Sequence, residues 1–213
     1  MRSPAKPAVV DAGELAETIT REHPEVGALL LAVGGFGSPI DAPCDRVGVF
    51  AIVGAGLVLL ADAWVREAQR DDLVAALRDR CAGLRVGAWD VLYATAWGYA
   101  WTADGLPFAL WDRRGCVASA SAAGLHRRGD ADLARATLTA VEVRLSDDWS
   151  RRSVEVVGAD GRWTVVAEES LAPAVDPTYD GIDLMVDLGW LIAVGRALAQ
   201  ALALPLRDRT GEV

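Results

Sequence analysis

The stretch that decides the fold is Trp89-Asp90-Val91-Leu92-Tyr93-Ala94-Thr95-Ala96-Trp97-Gly98-Tyr99-Ala100-Trp101. Trp89, Val91, Tyr93, Thr95, Trp97, Tyr99 and Trp101 occupy alternate positions, and Ala94, Ala96, Gly98 and Ala100 lie between the later ones. A period of two is the mark of extended backbone, whose side chains point to opposite faces in turn. Strands seldom run straight for that long, so a bend or bulge is predicted near 96–98. One face of the ribbon carries bulky rings, and the other carries side chains hardly larger than hydrogen.

Downstream, Ala103-Asp104-Gly105 reads as a turn and 107–111 as the returning strand. Further strands are predicted at 116–121, 140–145, 153–157 and 162–168. The last two form a hairpin around Gly158-Ala159-Asp160-Gly161. A long helix closes the chain, with Asp176 as N-cap, Pro177 at its first position and Pro205 beyond its end. Its i, i+4 row is Gly181, Met185, Gly189, Ala193, Ala197 and Ala201. Such a row permits close packing, and the small face of the ribbon is its expected mate.

Upstream, Asp11 caps a helix to Glu22, with Leu15 and Ile19 facing a core and Pro24 stopping it. Residues 26–33 form a short apolar strand, and 34–45 read as a loop. The run 47–61 holds no charged residue and divides at Gly54-Ala55-Gly56 into two strands of a hairpin. An amphipathic helix is predicted over 65–84, with Val65, Leu73, Leu77 and Leu84 inward.

The expected fold is α+β. A small N-terminal α-βββ-α part (1–85) precedes a predominantly antiparallel, barrel-like part (86–213) closed by the long C-terminal helix. The two parts can equally form one continuous domain. The element count of the second part has the layout of a pleckstrin-homology-like barrel, but no motif accompanies it and no family follows.

The chain has 213 residues, 52% hydrophobic and 24% charged, with 21 Lys and Arg against 30 Asp and Glu. That length buries a sizeable core, and this composition excludes disorder. The formal net charge of −9 argues against a nucleic-acid partner, which rewards clustered cations. Met1–Val10 has no signal-like apolar region. Run 47–61 is too short to span a bilayer, and 188–206 has Arg196 and Gln200 near its middle. Cys44, Cys81 and Cys116 are isolated, with no CxxC pair and no nearby histidine, which points to free thiols in the cytoplasm and away from zinc or disulfides. No cofactor is expected.

Two constellations are candidate sites. The first is the aromatic row Trp89, Tyr93, Trp97, Tyr99 and Trp101, whose rings can stack on a partner or ligand. The competing reading is that a second sheet buries these rings as ordinary core. The second is the carboxylate stripe Asp176, Asp180, Asp183 and Asp187, on one helical face. Asp180, Asp183 and Asp187 can hold Mg²⁺ through oxygen; the competing reading is a solvated acidic face whose first members offset the helix dipole.

Catalytic signatures are missing. Val53-Gly54-Ala55-Gly56-Leu57-Val58-Leu59 lacks the third glycine of a dinucleotide fingerprint, and Gly34-Gly35-Phe36-Gly37-Ser38 lacks a P-loop lysine. His23 and His126 stand in no motif. Cys116, near Arg113 and Arg114, is the best lone nucleophile. Arg113-Arg114, Arg127-Arg128 and Arg151-Arg152 are loop doublets able to clamp an acidic partner.

The resulting expectation is a non-catalytic cytoplasmic protein-binding module, of adaptor, chaperone or immunity type, using the aromatic sheet surface. Its partner is another protein, with a small-molecule ligand as second choice and no integral membrane segment. Two alternatives stand beside it. One is an enzyme of unknown reaction with an aromatic-lined pocket and the Mg²⁺ stripe. The other is a peripheral lipid-binding module.

Overall fold

Asp11 has extended backbone, and its carboxylate accepts from the amides of Gly13 (2.8 Å) and Glu14 (3.3 Å). Those are two of the donors a helix start leaves unsatisfied, so α1 runs Ala12–Glu22, as expected, with Leu15 and Ile19 buried. The computed structural model describes residues 9–34, 43–53, 56–92, 97–102, 107–112, 114–121, 123–146, 151–167 and 183–210, without the side chains of 91, 92, 121 and 183–187. The chain divides into two compact units, Met1–Asp90 and Val91–Val213.

In the first unit, β1 (Ala28–Gly34), β2 (Cys44–Val53) and β3 (Gly56–Arg66) form an antiparallel meander, and Val53 pairs with Gly56 across the hairpin end. The predicted helix over 65–84 is shorter than expected. β3 continues to Arg66 because Cys44 pairs with it at the far end of β2. A 3₁₀ turn (Glu67–Gln69) then leads into α2 (Arg70–Arg80), which buries Leu73 and Leu77. Val65 is buried as a strand residue, and Leu84 belongs to β4 (Gly83–Leu92).

Strand order here is β3-β2-β1-β4. β4 lies parallel to β1, a pairing sense that the predominantly antiparallel expectation did not specify. The chain leaves the sheet at β3, passes through α2 and re-enters beyond β1, and a crossover of that kind yields a parallel pair. Leu29, Leu31, Val47, Val49, Ala63 and Val65 meet the apolar sides of α1 and α2 in one core.

The second unit opens with β5 (Trp97–Thr102), β6 (Phe108–Asp112), β7 (Gly115–Ser121), β8 (Gly124–Arg127) and the short β9 (Leu133–Ala134), paired antiparallel in that order. β10 (Leu138–Leu145), β11 (Arg152–Gly158) and β12 (Gly161–Ala167) form a second meander, closed at Gly158 and Gly161 as predicted. The closing helix α3 is described over Asp183–Ala201, and the predicted start at Asp176 lies outside the described residues. After α3, β13 (Leu206–Arg209) joins parallel to β10, giving the order β12-β11-β10-β13. The sheets are mixed and open, not a closed barrel.

α3 buries Trp190, Leu191, Val194 and Leu198, and the turn after it buries Leu202, in one core with β5–β7 and with Val141, Val143, Val154 and Val156. Of the expected small-residue row, Gly189 is exposed, whereas Ala197 and Ala201 are buried in this core and Ala193 packs against it. The close approach is at Gly195, where an added Cβ would stand 2.6 Å from Cγ2 of buried Val143. Gly195→Val is therefore expected to destabilise the protein by about 2–3 kcal/mol through overpacking, with a loss of urea midpoint as the measurement. At the helix end, Arg135 donates to the carbonyls of Leu202 and Ala203, two acceptors with no partner further along α3.

Candidate functional site

The aromatic row is divided between the units. In the first, Trp89 is buried edge-on to Phe50 at 5.8 Å. Its indole Nε1 donates to the Arg46 carbonyl (3.2 Å), and the Arg46 guanidinium lies 5.0 Å from its ring centre. Arg46 is itself held by Asp62 through two nitrogens, Nε at 2.8 Å and Nη2. Gly48 leaves room for this arrangement, since a Cβ there would meet Phe50 at 2.7 Å and Trp89 at 3.0 Å. Trp89 thus works as a structural ring clamped by a cation.

In the second unit, Trp97 and Tyr99 are buried and Trp101 is half-buried against the same core. Tyr99 stacks on Trp101 (4.8 Å) and meets Trp190 of α3 edge-on (5.5 Å). This corrects the expected docking of the helix on the small face. The rings carry the larger apolar area, so the helix covers them. Gly98 on the small face receives the Trp111 ring of β6, 2.5 Å from an added Cβ. Trp89, Trp97 and Tyr99 are therefore not open to a ligand, and Tyr93 lies outside the described residues.

Of the carboxylate stripe, Asp176 and Asp180 lie outside the described residues, as do the side chains of Asp183 and Asp187 at the start of α3. Among the described residues, no three His, Cys, Asp or Glu side chains gather as a metal-holding group. Burial pushes the Cys116 thiol above its ordinary value, only partly offset by the Arg128 charge, so Cys116 is not an activated nucleophile. Arg128 chelates Asp112 (2.9 and 2.6 Å), and Arg127 pairs with Asp130 (3.2 Å), which separates that doublet into two local pairs. His126, on β8, faces Asp132 at 2.6 Å, and both side chains are exposed. The depression beside Pro43, Arg66 and Arg70 is wide open, and Arg70 there is engaged by Asp45 at 3.5 Å.

Two features that sequence reading passed over stand at the surface. The first is the β2–β3 hairpin. Val53, Val58 and Leu59 are 60%, 52% and 43% exposed. β3 begins the strand order, and Val9-Val10 joins it only at Trp64, with Val10 N 2.8 Å from the Trp64 carbonyl. Among the described residues, no strand pairs with 57–62 on that outer side. The signal was present as the uncharged run 47–61, which reads the same whether its strands are buried or at an edge.

The second feature is the face of the four-stranded sheet turned away from α3. Val141 and Val143 point to the core, so alternation sends Glu142 and Arg144 the other way. Glu142 is only 1% exposed, covered by arginine side chains from neighbouring strands. Arg162 of β12 and Arg207 of β13 (3.2 Å) donate to its carboxylate, and Arg144 lies 3.7 Å away. Arg162 also faces Glu155 at 3.7 Å, which accepts from Ser153 at 3.1 Å. Desolvation pushes the Glu142 carboxyl up, but the hydrogen bonds from Arg162 and Arg207 outweigh it and hold the group below the ordinary glutamate range. The alternation Val141-Glu142-Val143-Arg144 was readable; its meeting with Arg207 across a parallel strand pair was not.

Comparison of the chain with family models, curated proteins and solved structures returned no match. Among the described residues, no helix is long and apolar enough to cross a membrane.

Proposed function

We propose that this chain is a non-catalytic, cytoplasmic protein-binding module whose partner adds an extended, apolar segment to the outer edge of β3. The observation that carries this reading is the concentration of exposed Val53, Val58 and Leu59 on one hairpin, beside a stretch of backbone, 57–62, that no other strand joins on its outer side among the described residues. Edge strands are ordinarily blunted by charge, proline or a covering element, yet 47–61 has neither a charged residue nor a proline. Backbone donors and acceptors along 57–62 supply affinity for an added strand, and the alternating apolar side chains supply preference. The aromatic row contributes by stiffening the sheets from within. Free Cys44, Cys81 and Cys116 suit a reducing compartment.

The test uses a displayed library of random short peptides selected against the whole protein. Enrichment of uncharged, β-branched and aromatic sequences is expected. Binding of the winners should weaken by about tenfold or more in Val58→Lys, because a charge would have to be desolvated at the new interface. The variant should keep its melting temperature, since Val58 is exposed. Winners that bind Val58→Lys as tightly as the parent, or that are charged and helical, would refute the edge-strand reading.

A further inference from the structure

We propose that the occupant of the β3 edge is a second copy of this chain, the two β3 strands pairing antiparallel across a twofold axis at Val58. The proposal rests on the edge-strand reading above and names its partner. Antiparallel pairing about an axis normal to the sheet sets every residue opposite one on the same face, so the axis passes at a residue and not between two. Val58 is opposite Ala51, which is opposite Leu29, and so lies on the face that carries α1 and α2. Leu57 and Leu59 are opposite Ile52 and Phe50 and lie on the other face.

The β2–β3 ladder sets the register. Val49 pairs with Ala61 and Phe50 with Leu59, so Leu60 is an extra residue bulged out of the pairing. A bulge bends its strand and interrupts regular pairing, which leaves 56–59 as the regular part of the edge. Beyond the bulge the outer side is taken at Trp64, whose carbonyl accepts from the Val10 amide. With the axis at Val58, Val58 meets Val58 of the partner subunit. Leu57 meets Leu59 of the partner subunit on one side of the axis, and the same pair recurs on the other side. Side chains placed opposite in this way stand about 5 Å apart between Cβ atoms, close enough to cover one another. Val58 and Leu59, 52% and 43% exposed, become the centre of the contact, and Val53, opposite Gly56, flanks it.

Charge favours the same solution. Two copies, each with a formal net charge of −9, repel as wholes, so the least costly approach is along a strand that carries no charge. Residues 56–61 carry none, and Asp62 at their end is neutralised by Arg46. A twofold contact needs a surface that complements itself, and an uncharged strand with an apolar residue on the axis does so. The contact is small beside the roughly 20–30 residues a side of a stable complex. A reversible dimer at micromolar concentrations is therefore expected.

The experiment is sedimentation equilibrium of the full chain across the micromolar range at low and high salt. The parent should show a monomer–dimer equilibrium that moves toward dimer as salt screens the repulsion between copies. Val58→Lys and Val58→Glu should each associate about tenfold or more weakly, because like charges would meet on the axis. Their equimolar mixture should recover the dimer, now weakened by salt, because opposite charges face each other there. Recovery in the mixture also shows that both variants are folded. The proposal falls if the parent is monomeric throughout, if either variant dimerises as the parent does, or if the mixture stays monomeric. A monomeric parent that binds the selected peptides, and loses them in Val58→Lys, overturns the second copy and keeps the edge-strand reading. A monomeric parent that selects no such peptides overturns both.

Discussion

Tyr99→Ala is expected to destabilise the second unit by about 3–5 kcal/mol, the cost of deleting a large buried ring whose surroundings relax only in part. Tyr99 is in contact with Trp101 on its own strand, Phe108 on β6 (6.3 Å) and Trp190 on α3. Its loss opens a cavity where the five-stranded sheet meets the helix. Urea unfolding followed by tryptophan fluorescence and by far-ultraviolet circular dichroism measures the loss. A change below about 1 kcal/mol, as a surface ring would give, would show that Tyr99 is not packed as described. Tyr99→Phe should recover most of the stability, because ring packing supplies the larger part.

The second large effect belongs to Glu142. Glu142→Ala leaves the guanidiniums of Arg144, Arg162 and Arg207 grouped without their shared carboxylate. Removing one partner of a fully buried ion pair costs about 3–5 kcal/mol. These arginines are half-exposed and can be rehydrated, so about 2–3 kcal/mol is expected here. The effect has a pH signature. The folded-state carboxyl is held below the ordinary glutamate value of 4.5, so its contribution is fully present above that value and is lost as pH falls through the depressed one. The stability gap between the parent and Glu142→Gln should therefore be constant from neutral pH to about pH 5 and close below about pH 4.5. A gap that stayed constant throughout that acid range would mean that the carboxylate is not held by its arginines.

Both predictions concern residues whose local structure was readable and whose surroundings were not. The two-residue period around 89–101 correctly implied extended backbone, now found as β4 to Leu92 and β5 from Trp97. Alternation is a property of neighbouring residues, so it survives without knowledge of the rest of the molecule. Which side would be covered is a different question. Either face of that ribbon could receive a helix, and only the arrival of Trp190 against Tyr99 decides it. The helix expected over 65–84 failed for a related reason. Val65 fits a helical period with Leu73 and Leu77, yet pairing along the whole of β2 holds it in a strand. β8, β9 and β13 were missed because they are short, and Leu206-Arg207-Asp208-Arg209 carries no apolar alternation. Such strands owe their conformation to the neighbour they join.

By itself, the sequence determined the mixture of helices with a majority of strands, the Asp11 cap, the hairpins at 53–56 and 158–161, and the apolar segments that supply the cores. Each of these depends on side-chain period, turn chemistry or hydropathy within a few residues. Tertiary structure alone decided that α3 covers the aromatic rings, that β4 and β13 enter parallel to their neighbours, and that Glu142 meets arginines from three strands. Those outcomes depend on contacts between residues as distant in sequence as Tyr99 and Trp190, and the energy of such a contact is not encoded in either partner's local pattern.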